Sequence, residues 1–409
     1  MRFSLKLSGL HTSVYQVQGA GRLRGFLVIH SLFRGSSRGG IRMASDVTEE
    51  EVRLLAEGMT LKFGLLGLPQ GGAKAGIRFD ADAPEEARSA ALREFGQAIS
   101  RVLRSRTYIP GADMGTSNEM VRRMLVSLGV PVRHREFRSE RSGYFTAVSV
   151  FSAARHAADA AGLNLAGARV AIEGFGNVGS SLAQLFAGHG AKVVAISTSR
   201  GAPYNDKGLD IAALLGAWRE KGSRFVESYT QADQGRPHSL FGAPVEVLCP
   251  CARYNTITPL TAGGIQARII APGSNHPFDL ATEKALVARG IIPIPDWVAN
   301  CGGVLGPTME FSGWPDGEIV DFMHRRLEPH VRGAIRESER TGLTATEIAK
   351  PRALERFEQM AARAGRPGLK GRLMSAGLEV YRRGLVPSAV VRRMSRQYYE
   401  RDVLLPFDY

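Results

Sequence analysis

Ala168-Arg-Val-Ala-Ile-Glu-Gly174-Phe-Gly176-Asn-Val-Gly179 is a short apolar run that enters three closely spaced glycines. The residues after it, Ser180 to Gly188, read as a helix, and Ala191-Lys-Val-Val-Ala-Ile-Ser197 reads as a second strand. In a strand–turn–helix–strand setting each glycine has a task. The first permits the tight turn, the second lets a pyrophosphate approach the backbone, and the third lets the helix lie close to the strand. The helix N-terminus offers unpaired N–H groups to the anion. The fragment therefore predicts a Rossmann-like dinucleotide-binding domain, with Gly174, Phe175, Gly176, Asn177, Val178 and Gly179 as its cofactor loop. The competing reading is a tight strand–helix turn that binds nothing. An acid about 20 residues further on would hold the ribose hydroxyls of NAD. The second strand instead ends Ser197-Thr198-Ser199-Arg200. Thr198, Ser199 and Arg200 suit a ribose 2′-phosphate better, so the cofactor is NAD or NADP with the preference for NADP. Arg200 also fits as a solvent-facing turn residue before Gly201.

Upstream, Gly58-Met-Thr-Leu-Lys62-Phe-Gly-Leu-Leu-Gly-Leu-Pro-Gln-Gly-Gly-Ala-Lys74-Ala-Gly-Ile77 places two lysines around a run of glycines. A lysine with little surrounding bulk and a second cation nearby loses its proton more easily, because desolvation and like charge both disfavour the ammonium. Such an amine can serve as a general base or activate a carbonyl carbon. The plain alternative is a helix end followed by a turn, with Lys62 solvated.

Composition bounds the rest. The chain has 409 residues, 44% hydrophobic and 22% charged, as in an ordinary globular protein of two or three domains. No apolar run approaches the roughly 18 residues of a membrane span. Cys249, Cys251 and Cys301 are an odd set, which fits a reducing compartment such as the cytoplasm rather than a disulfide framework. Cys-Pro-Cys is not a zinc spacing and the nine histidines are scattered, so no metal is expected. Fifty-three Lys and Arg against 39 Asp and Glu give a net charge of +14. The basic residues gather in the acid-free stretch Met1–Ser45, in Arg133–Arg141, and in the tail from Arg352 to Arg401. No helix-turn-helix or aromatic-interleaved basic strand accompanies them, which argues against nucleic acid. The tail reads as basic helices with one buried face.

Three blocks follow along the chain: 1–130, 144–310 and 311–409. Gly25 to His30 reads as a strand. A helix starts at Asp46-Val-Thr48-Glu-Glu-Glu51, with a capping residue and first-turn acids, and carries Lys62 near its end. Ala87 to Leu103 reads as another helix, and Thr107 to Thr116 as a strand running into a loop. Val130 to Gly143 is an interdomain connection.

Several of these segments together resemble the Glu/Leu/Phe/Val family of amino-acid dehydrogenases. They are Arg38-Gly-Gly-Ile-Arg42, Gly58-Met-Thr-Leu-Lys62, Pro69-Gln-Gly-Gly-Ala-Lys74-Ala-Gly-Ile77 and Pro110-Gly-Ala-Asp113-Met-Gly-Thr116. Thr146-Ala147, the Gly174 loop and Pro295-Asp-Trp-Val-Ala-Asn300-Cys-Gly-Gly-Val304 continue the match in order. The resemblance implies an α/β protein. It would have an N-terminal α/β substrate and oligomerisation domain, a Rossmann-like domain, C-terminal helices packing back, and an active site between domains. It implies a homo-oligomer acting on an L-amino acid, its 2-oxo acid and ammonia, with glutamate the leading substrate. It makes Lys74 and Asp113 catalytic, and Lys62 the partner of the substrate α-carboxylate. Arg38, Gly39, Gly40, Met59 and Thr308 would line the substrate site. Thr146, Asn275 and Asn300 would sit near the nicotinamide and its ribose.

The chain departs from the family at three places. Arg38 stands where glutamate-specific members carry lysine, and arginine is longer and planar. Pro307 falls where those members have a serine, and it removes a hydroxyl and a backbone donor. Thr308 is the neighbouring hydroxyl. Ala271-Pro-Gly-Ser-Asn275-His-Pro277 departs from the usual Glu-Gly-Ala-Asn-x-Pro. An unusual or hydrophobic amino acid is therefore the alternative substrate, and a non-catalytic dinucleotide-binding relative the second alternative.

Overall fold

The computed structural model describes residues 9–18, 24–137, 139–365 and 369–409, with side chains omitted for 369–375. Parts of the acid-free start (1–8 and 19–23) and Arg138 of the basic connection lie outside these residues. The chain divides into two compact units. One holds Met1–Glu140, Phe311–Gly313 and Arg352–Leu405; the other holds Arg141–Glu310, Trp314–Pro351 and Pro406–Tyr409.

The first unit begins with strands β1 (Gly9–Gln18), β2 (Arg24–Leu32) and β3 (Ser37–Met43), followed by helix α1 (Glu49–Leu66). Thr48 caps α1 by accepting the Glu51 N–H at 3.1 Å, and Gly67 at φ 67° ends it. Strand β4 (Gly71–Arg78) follows. The helix end followed by a turn is therefore found as far as residue 70, while Gly71 and Gly72 open a strand that lies between β2 and β3 in a sheet ordered β1-β2-β4-β3 with β5 (Tyr108–Ala112) at the far edge. The reason is packing. A Cβ at Gly72 would lie 2.4 Å from the Thr60 nitrogen, and one at Gly76 would lie 2.6 Å from Val52. Two glycines on one face of β4 let α1 settle against the sheet. Helices α2 (Glu85–Ala98) and α3 (Ser100–Arg104) replace the single helix expected over 87–103, and Ile99 breaks it. Helix α4 (Asn118–Ser127) completes this part. Leu92, Phe95, Val121 and Met124 join Leu27, Ile29, Ile41 and Ala75 in a core on one face of the sheet. Val28, Val47, Val52 and Ala56 form a smaller core on the α1 face.

The second unit opens with α5 (Ser142–Ala160), then β6 (Arg169–Glu173), α6 (Asn177–Gly188) and β7 (Lys192–Ile196). These are the predicted strand–helix–strand elements, with ends within three residues of expectation. Next come β8 (Ala202–Tyr204), α7 (Ile211–Lys221), β9 (Asp233–Gly235), β10 (Val247–Pro250), α8 (Pro259–Ala262), β11 (Ile269–Ile270), α9 (Leu280–Val287) and β12 (Ile292–Pro293). The sheet order is β12-β11-β10-β6-β7-β8-β9; β8 pairs antiparallel with both β7 and β9, and the other pairings are parallel. After β6 the chain builds outward to β9, then returns to the other side of β6 with β10. This reversal is the topological switch at which open parallel sheets bind ligands beyond their strand ends. Short α10 (Asp296–Ala299), α11 (Gly302–Phe311) and long α12 (Asp316–Thr341) follow.

The segment 311–409, expected as one helical piece, is split. Helix α12 stays with the second unit, and the boundary falls inside α13 (Ala345–Arg363) at Pro351. The rest of α13, with α14 (Leu369–Arg382) and α15 (Ser388–Asp402), belongs to the first unit. There a Cβ at Gly64 of α1 would strike the Ala353 carbonyl at 2.0 Å, and Leu404 N–H donates to Leu66 O at 2.9 Å. The basic helices bury one face, through Tyr381 and Tyr399. Among the described residues no helix is long and apolar enough to cross a membrane.

Candidate active site

The α1 face of the first sheet carries the ionic residues. Parallel pairing sets Arg38 opposite Gly72 and Arg42 opposite Gly76, so Arg38, Gly40 and Arg42 share the face of Lys74. Asp113 follows β5. Its loop is fixed by the Thr116 hydroxyl, which accepts the Asp113 N–H at 3.0 Å and donates to Ile41 O at 2.8 Å, and by Gly115 at φ 78°. Lys74 and Asp113 form a close ion pair whose side chains are 6% and 13% exposed. Arg42 donates to Asp113 Oδ1 at 3.4 Å and to Glu51 Oε1 at 2.6 Å. Burial pushes the Asp113 carboxyl up, but the charges of Lys74 and Arg42 outweigh it and hold the group well below the usual carboxylate range. Burial would lower the proton affinity of Arg42, and the Asp113 and Glu51 carboxylates reverse that.

Lys74 therefore meets an opposite charge as well as the cation Arg42, which shares the Asp113 carboxylate. Lys62 is buried on α1, two residues beyond the Thr60 that lies over Gly72. Met59, beside Thr60, is half-buried. Gly39 and Gly40 serve the sheet as well as any ligand. A Cβ at Gly39 would lie 1.6 Å from Ala73 O, and one at Gly40 would lie 2.7 Å from Ala112 O and 2.9 Å from Asp113 Cβ. Tyr108, fully buried, donates to Gly39 O at 2.9 Å; burial first, then Asp113, raises its phenol well above the usual range.

Arg42, Glu51 and Tyr108 carry no role in the sequence reading. The signal for Arg42 is a single charge between Ile41 and Met43, on a strand otherwise apolar there, at the same alternation as Arg38 and Gly40. Glu51 was legible only as a first-turn acid.

In the second unit the switch point sits at the end of β6. Gly174 turns at φ 87°, where a Cβ would lie 2.9 Å from Ala252, and a Cβ at Gly179 would strike Gly174 O at 1.9 Å. A Cβ at Gly176 would meet nothing within 4 Å. Open space at Gly176, before the first turn of α6, fits an approaching pyrophosphate and the helix N–H groups that would receive it. Asn177 and Gly176 are exposed and Val178 half-buried. Phe175 departs from the expectation. Its ring is buried, 5.5 Å from Phe225 and 6.3 Å from Trp218 by centroids, so only its backbone can face a cofactor. Thr198 departs too. Its hydroxyl donates to Ser223 O at 3.1 Å and accepts the Arg200 N–H at 3.1 Å, which closes the turn. Ser199 and Arg200 are exposed at the strand end.

Asn300 Nδ2 donates to Ser274 O at 2.8 Å and reaches Asn275 Oδ1 at 3.4 Å. Among the described residues, Asn300 Oδ1 and Ser274 Oγ are buried without a hydrogen-bond partner. Unmet polar atoms in a buried site ask for a polar ligand, and a carboxamide fits them. The Thr146 hydroxyl donates to Ser142 O at 2.7 Å and would lie 2.4 Å from a Cβ at Gly303, so α11 rides close on α5. Thr308 donates its hydroxyl to Val304 O at 2.7 Å, four residues back in its own helix. That proton is spent on the helix, so Thr308 does not replace the donor lost at Pro307.

Glu173, the last residue of β6, is buried with a Thr256 hydroxyl 3.3 Å away, and burial pushes its carboxyl up to about 7. A raised carboxyl binds a proton in the folded chain at pH values where the unfolded chain has released it. Stability therefore falls as pH rises from about 4.5 toward 7. Glu173→Gln should remove that decline, with a higher Tm than the parent at pH 8 and an equal one at pH 4. Parallel Tm profiles for both proteins would refute the burial effect.

Comparison with known proteins gives the family. Residues 10–128 match the family model described as "Glu/Leu/Phe/Val dehydrogenase, dimerisation domain", and residues 139–365 match "Glutamate/Leucine/Phenylalanine/Valine dehydrogenase". The chain is 32% identical over 324 residues to the NADP-specific glutamate dehydrogenase of Saccharolobus shibatae, spanning 75% of each. It is 33% identical over 307 residues to the catabolic NAD-specific glutamate dehydrogenase of Bacillus subtilis, spanning 71% of this chain and 70% of that one. Among solved structures it resembles the hetero-hexameric glutamate dehydrogenase of Thermus thermophilus (TM-score 0.73, 26% identity, 89% and 94% covered). L-tryptophan dehydrogenase from Nostoc punctiforme shares the fold, with TM-score 0.57, 22% identity and coverage of 86% and 96%.

Proposed function

The chain belongs to the Glu/Leu/Phe/Val dehydrogenase family of amino-acid dehydrogenases, and from that premise we propose that it interconverts L-glutamate with 2-oxoglutarate and ammonia. The observation that carries the reading is the buried Lys74–Asp113 pair on the glycine-paved strand. A non-catalytic binder gains nothing from two opposite charges buried beside open backbone, because their desolvation costs about as much as their attraction returns.

NAD or NADP, when bound at the Gly174 loop, supplies the hydride acceptor or donor. The protein's own residues do the rest. Lys62 pairs with the substrate α-carboxylate and so fixes the Cα hydrogen in one direction. The Lys74 amine, once its proton has passed to the adjoining Asp113 carboxylate, draws a proton from a water that attacks the imino carbon and so becomes an ammonium again. Asp113, kept ionised by Lys74 and Arg42, takes and returns protons at the departing nitrogen. Asn300 and Asn275 orient the carboxamide, and Thr146 contributes its remaining lone pairs. Exposed Ser199 and Arg200 favour a 2′-phosphate, hence NADP.

Glutamate is supported by Arg38 and by the names of the relatives. Pro307, with Thr308 turned into its own helix, favours a different side chain, and that is the second reading. Self-association is supported by β1, a ten-residue edge strand with exposed Leu10 and Tyr15.

The test is a panel of acidic, aliphatic and aromatic 2-oxo acids with ammonia and NADH or NADPH, followed by loss of nicotinamide absorbance. Turnover of 2-oxoglutarate above all others is expected, and no turnover of any acid would sink the enzyme reading. Arg38→Leu should move preference toward apolar oxo acids. An unchanged ranking would show that Arg38 does not read the side chain.

A further inference from the structure

We propose that Glu173, the last residue of β6, is a positioning residue for the dinucleotide: its carboxyl clasps the loop 251–257 to the start of the glycine turn, and that loop in turn holds Asn275 in place for the nicotinamide carboxamide. The inference rests on the dinucleotide reading above and deepens it.

Three segments meet beyond the strand ends at the switch point. They are the glycine turn after β6, residues 251–257 after β10, and residues 271–277 after β11. The first two are joined at Glu173. Its backbone carbonyl accepts the Cys251 N–H at 2.7 Å. Its carboxyl accepts the Thr256 hydroxyl at 3.3 Å, and the Ala252 N–H acts on the same group. One residue thus grips both ends of the 251–256 stretch. The carboxyl is 4% exposed and stands directly before Gly174, which itself lies against Ala252.

The second and third segments are joined by backbone. The Gly273 and Ser274 N–H groups donate to Pro250 O at 2.8 and 2.9 Å. A Cβ at Gly273 would lie 2.6 Å from Cys251 Sγ and 2.9 Å from Val178 in the first turn of α6. Further along, Asn255 N–H donates to His276 O at 2.8 Å and Ile257 N–H to Pro277 O at 2.9 Å. The Tyr254 and His276 rings stack with centroids 6.4 Å apart. Asn255 and His276 both take left-handed backbone, at φ 53° and 49°. Residues other than glycine keep that state only where the surroundings fix it, and here each is bonded to the other. Thr256 stands between the two donors, Asn255 and Ile257, so the grip on its hydroxyl is passed to the 276–277 backbone. Asn275, between Ser274 and His276, has both neighbours tied to the 250–257 stretch. Asn300 then meets Ser274 O and Asn275 Oδ1.

The fold alone does not ask for an acid at this place. A carboxyl buried in this way costs more than an apolar residue of its size, and departures of this kind gather at functional sites. The Cys251 thiol, its titratable neighbour, is pushed well up by burial and then by Glu173, so it stays protonated and adds no rival charge.

The test is binding, which needs no turnover. NADH or NADPH is titrated by nicotinamide fluorescence. ADP-ribose or its 2′-phosphate, which keep the pyrophosphate and lack the nicotinamide, are titrated by calorimetry. Glu173→Leu should raise Kd for the reduced dinucleotide roughly tenfold, the scale of one lost hydrogen bond in a buried site, and Kd for the ADP-ribose by no more than about twofold. Thr256→Val removes the same bond from the other side and should act alike. The double variant should be no worse than either single, since both break one clasp. Glu173→Gln keeps an acceptor for Thr256 and should stay within about twofold of the parent. In turnover, Glu173→Leu should raise KM for the dinucleotide and leave KM for the oxo acid alone. Equal weakening of both ligands would make Glu173 a structural residue only and overturn the proposal. So would additive losses, a Gln variant as weak as the Leu variant, or affinities that ignore Thr256→Val. If Glu173→Leu does not fold, Thr256→Val and Glu173→Gln decide the matter. A parent that binds neither reduced dinucleotide sinks the dinucleotide reading and this inference with it; a parent that binds one, with every variant unchanged, sinks the clasp alone.

Discussion

Lys74→Ala should lower kcat about a thousandfold or more, with the affinity for reduced dinucleotide within about twofold of the parent. The size follows from what the side chain touches. Lys74 is 6% exposed and its ammonium is paired with Asp113, so no solvent group can take its place. The dinucleotide loop belongs to the other unit and is held by its own contacts at Gly174, Gly179 and Ala252. Loss of chemistry without loss of binding is therefore the diagnostic split. Asp113→Asn should be nearly as damaging. The double variant should be no worse than the more damaged single, since two groups that act on one proton path do not add. A second readout comes from acid unfolding. In the parent the depressed Asp113 carboxyl contributes stability that is fully present above its unfolded value near 3.9, and is lost as pH falls through the folded one. Removal of Lys74 leaves Arg42 at 3.4 Å, so the carboxyl is less depressed and the loss should be smaller and complete at a higher pH. Steady-state kinetics, nicotinamide-fluorescence titration and Tm against pH check these points. Activity near that of the parent would refute the role of Lys74.

The dinucleotide unit was legible because its chemistry is local. Glycines at 174, 176 and 179, flanked by apolar runs, specify a turn whatever the rest of the chain does, and β6, α6 and β7 form within a few residues of expectation. Lys74 and Asp113 were legible only through several motifs in order, since their pairing joins β4 to the end of β5 across thirty-nine residues of chain. Other features depend on what arrives from far away in sequence. Gly71 to Gly76 lie in a strand that has glycines at 72 and 76 because α1 needs the room there. The single helix expected over 87–103 breaks at Ile99, where the chain also turns to bury Leu103. Phe175 and Thr198 stand at the right places for a cofactor, but an aromatic cluster and a turn claim their side chains first. The tail divides at Pro351, and nothing in its helical periodicity marks which half joins which unit.

Arg42→Ala should lower the Tm of the first unit's transition by roughly 10 °C. Arg42 is 5% exposed and Glu51 2%, with the guanidinium 2.6 Å from the carboxylate. Removing one partner of a buried pair strands the other charge, at a cost of about 3–5 kcal/mol, and each kcal/mol shifts a unit of this size by roughly 2–4 °C. Asp113 loses its second cation at the same time, so kcat should fall as well, by less than in Lys74→Ala because the ammonium remains. The exposed pair Arg53–Glu49 provides the contrast. It has a similar distance, 2.7 Å, but side chains 46% and 26% exposed, and Arg53→Ala should change Tm by no more than a degree or two. Burial, not the presence of a salt bridge, sets the difference. The decisive variant pairs Arg42→Met with Glu51→Leu. If the cost of Arg42→Ala is the stranded Glu51 charge, the apolar pair should recover most of the Tm while kcat stays low, because Asp113 still lacks its second cation. Recovery of both would mean that Arg42 only holds α1 to the sheet. Recovery of neither would place its contribution in the Asp113 contact alone.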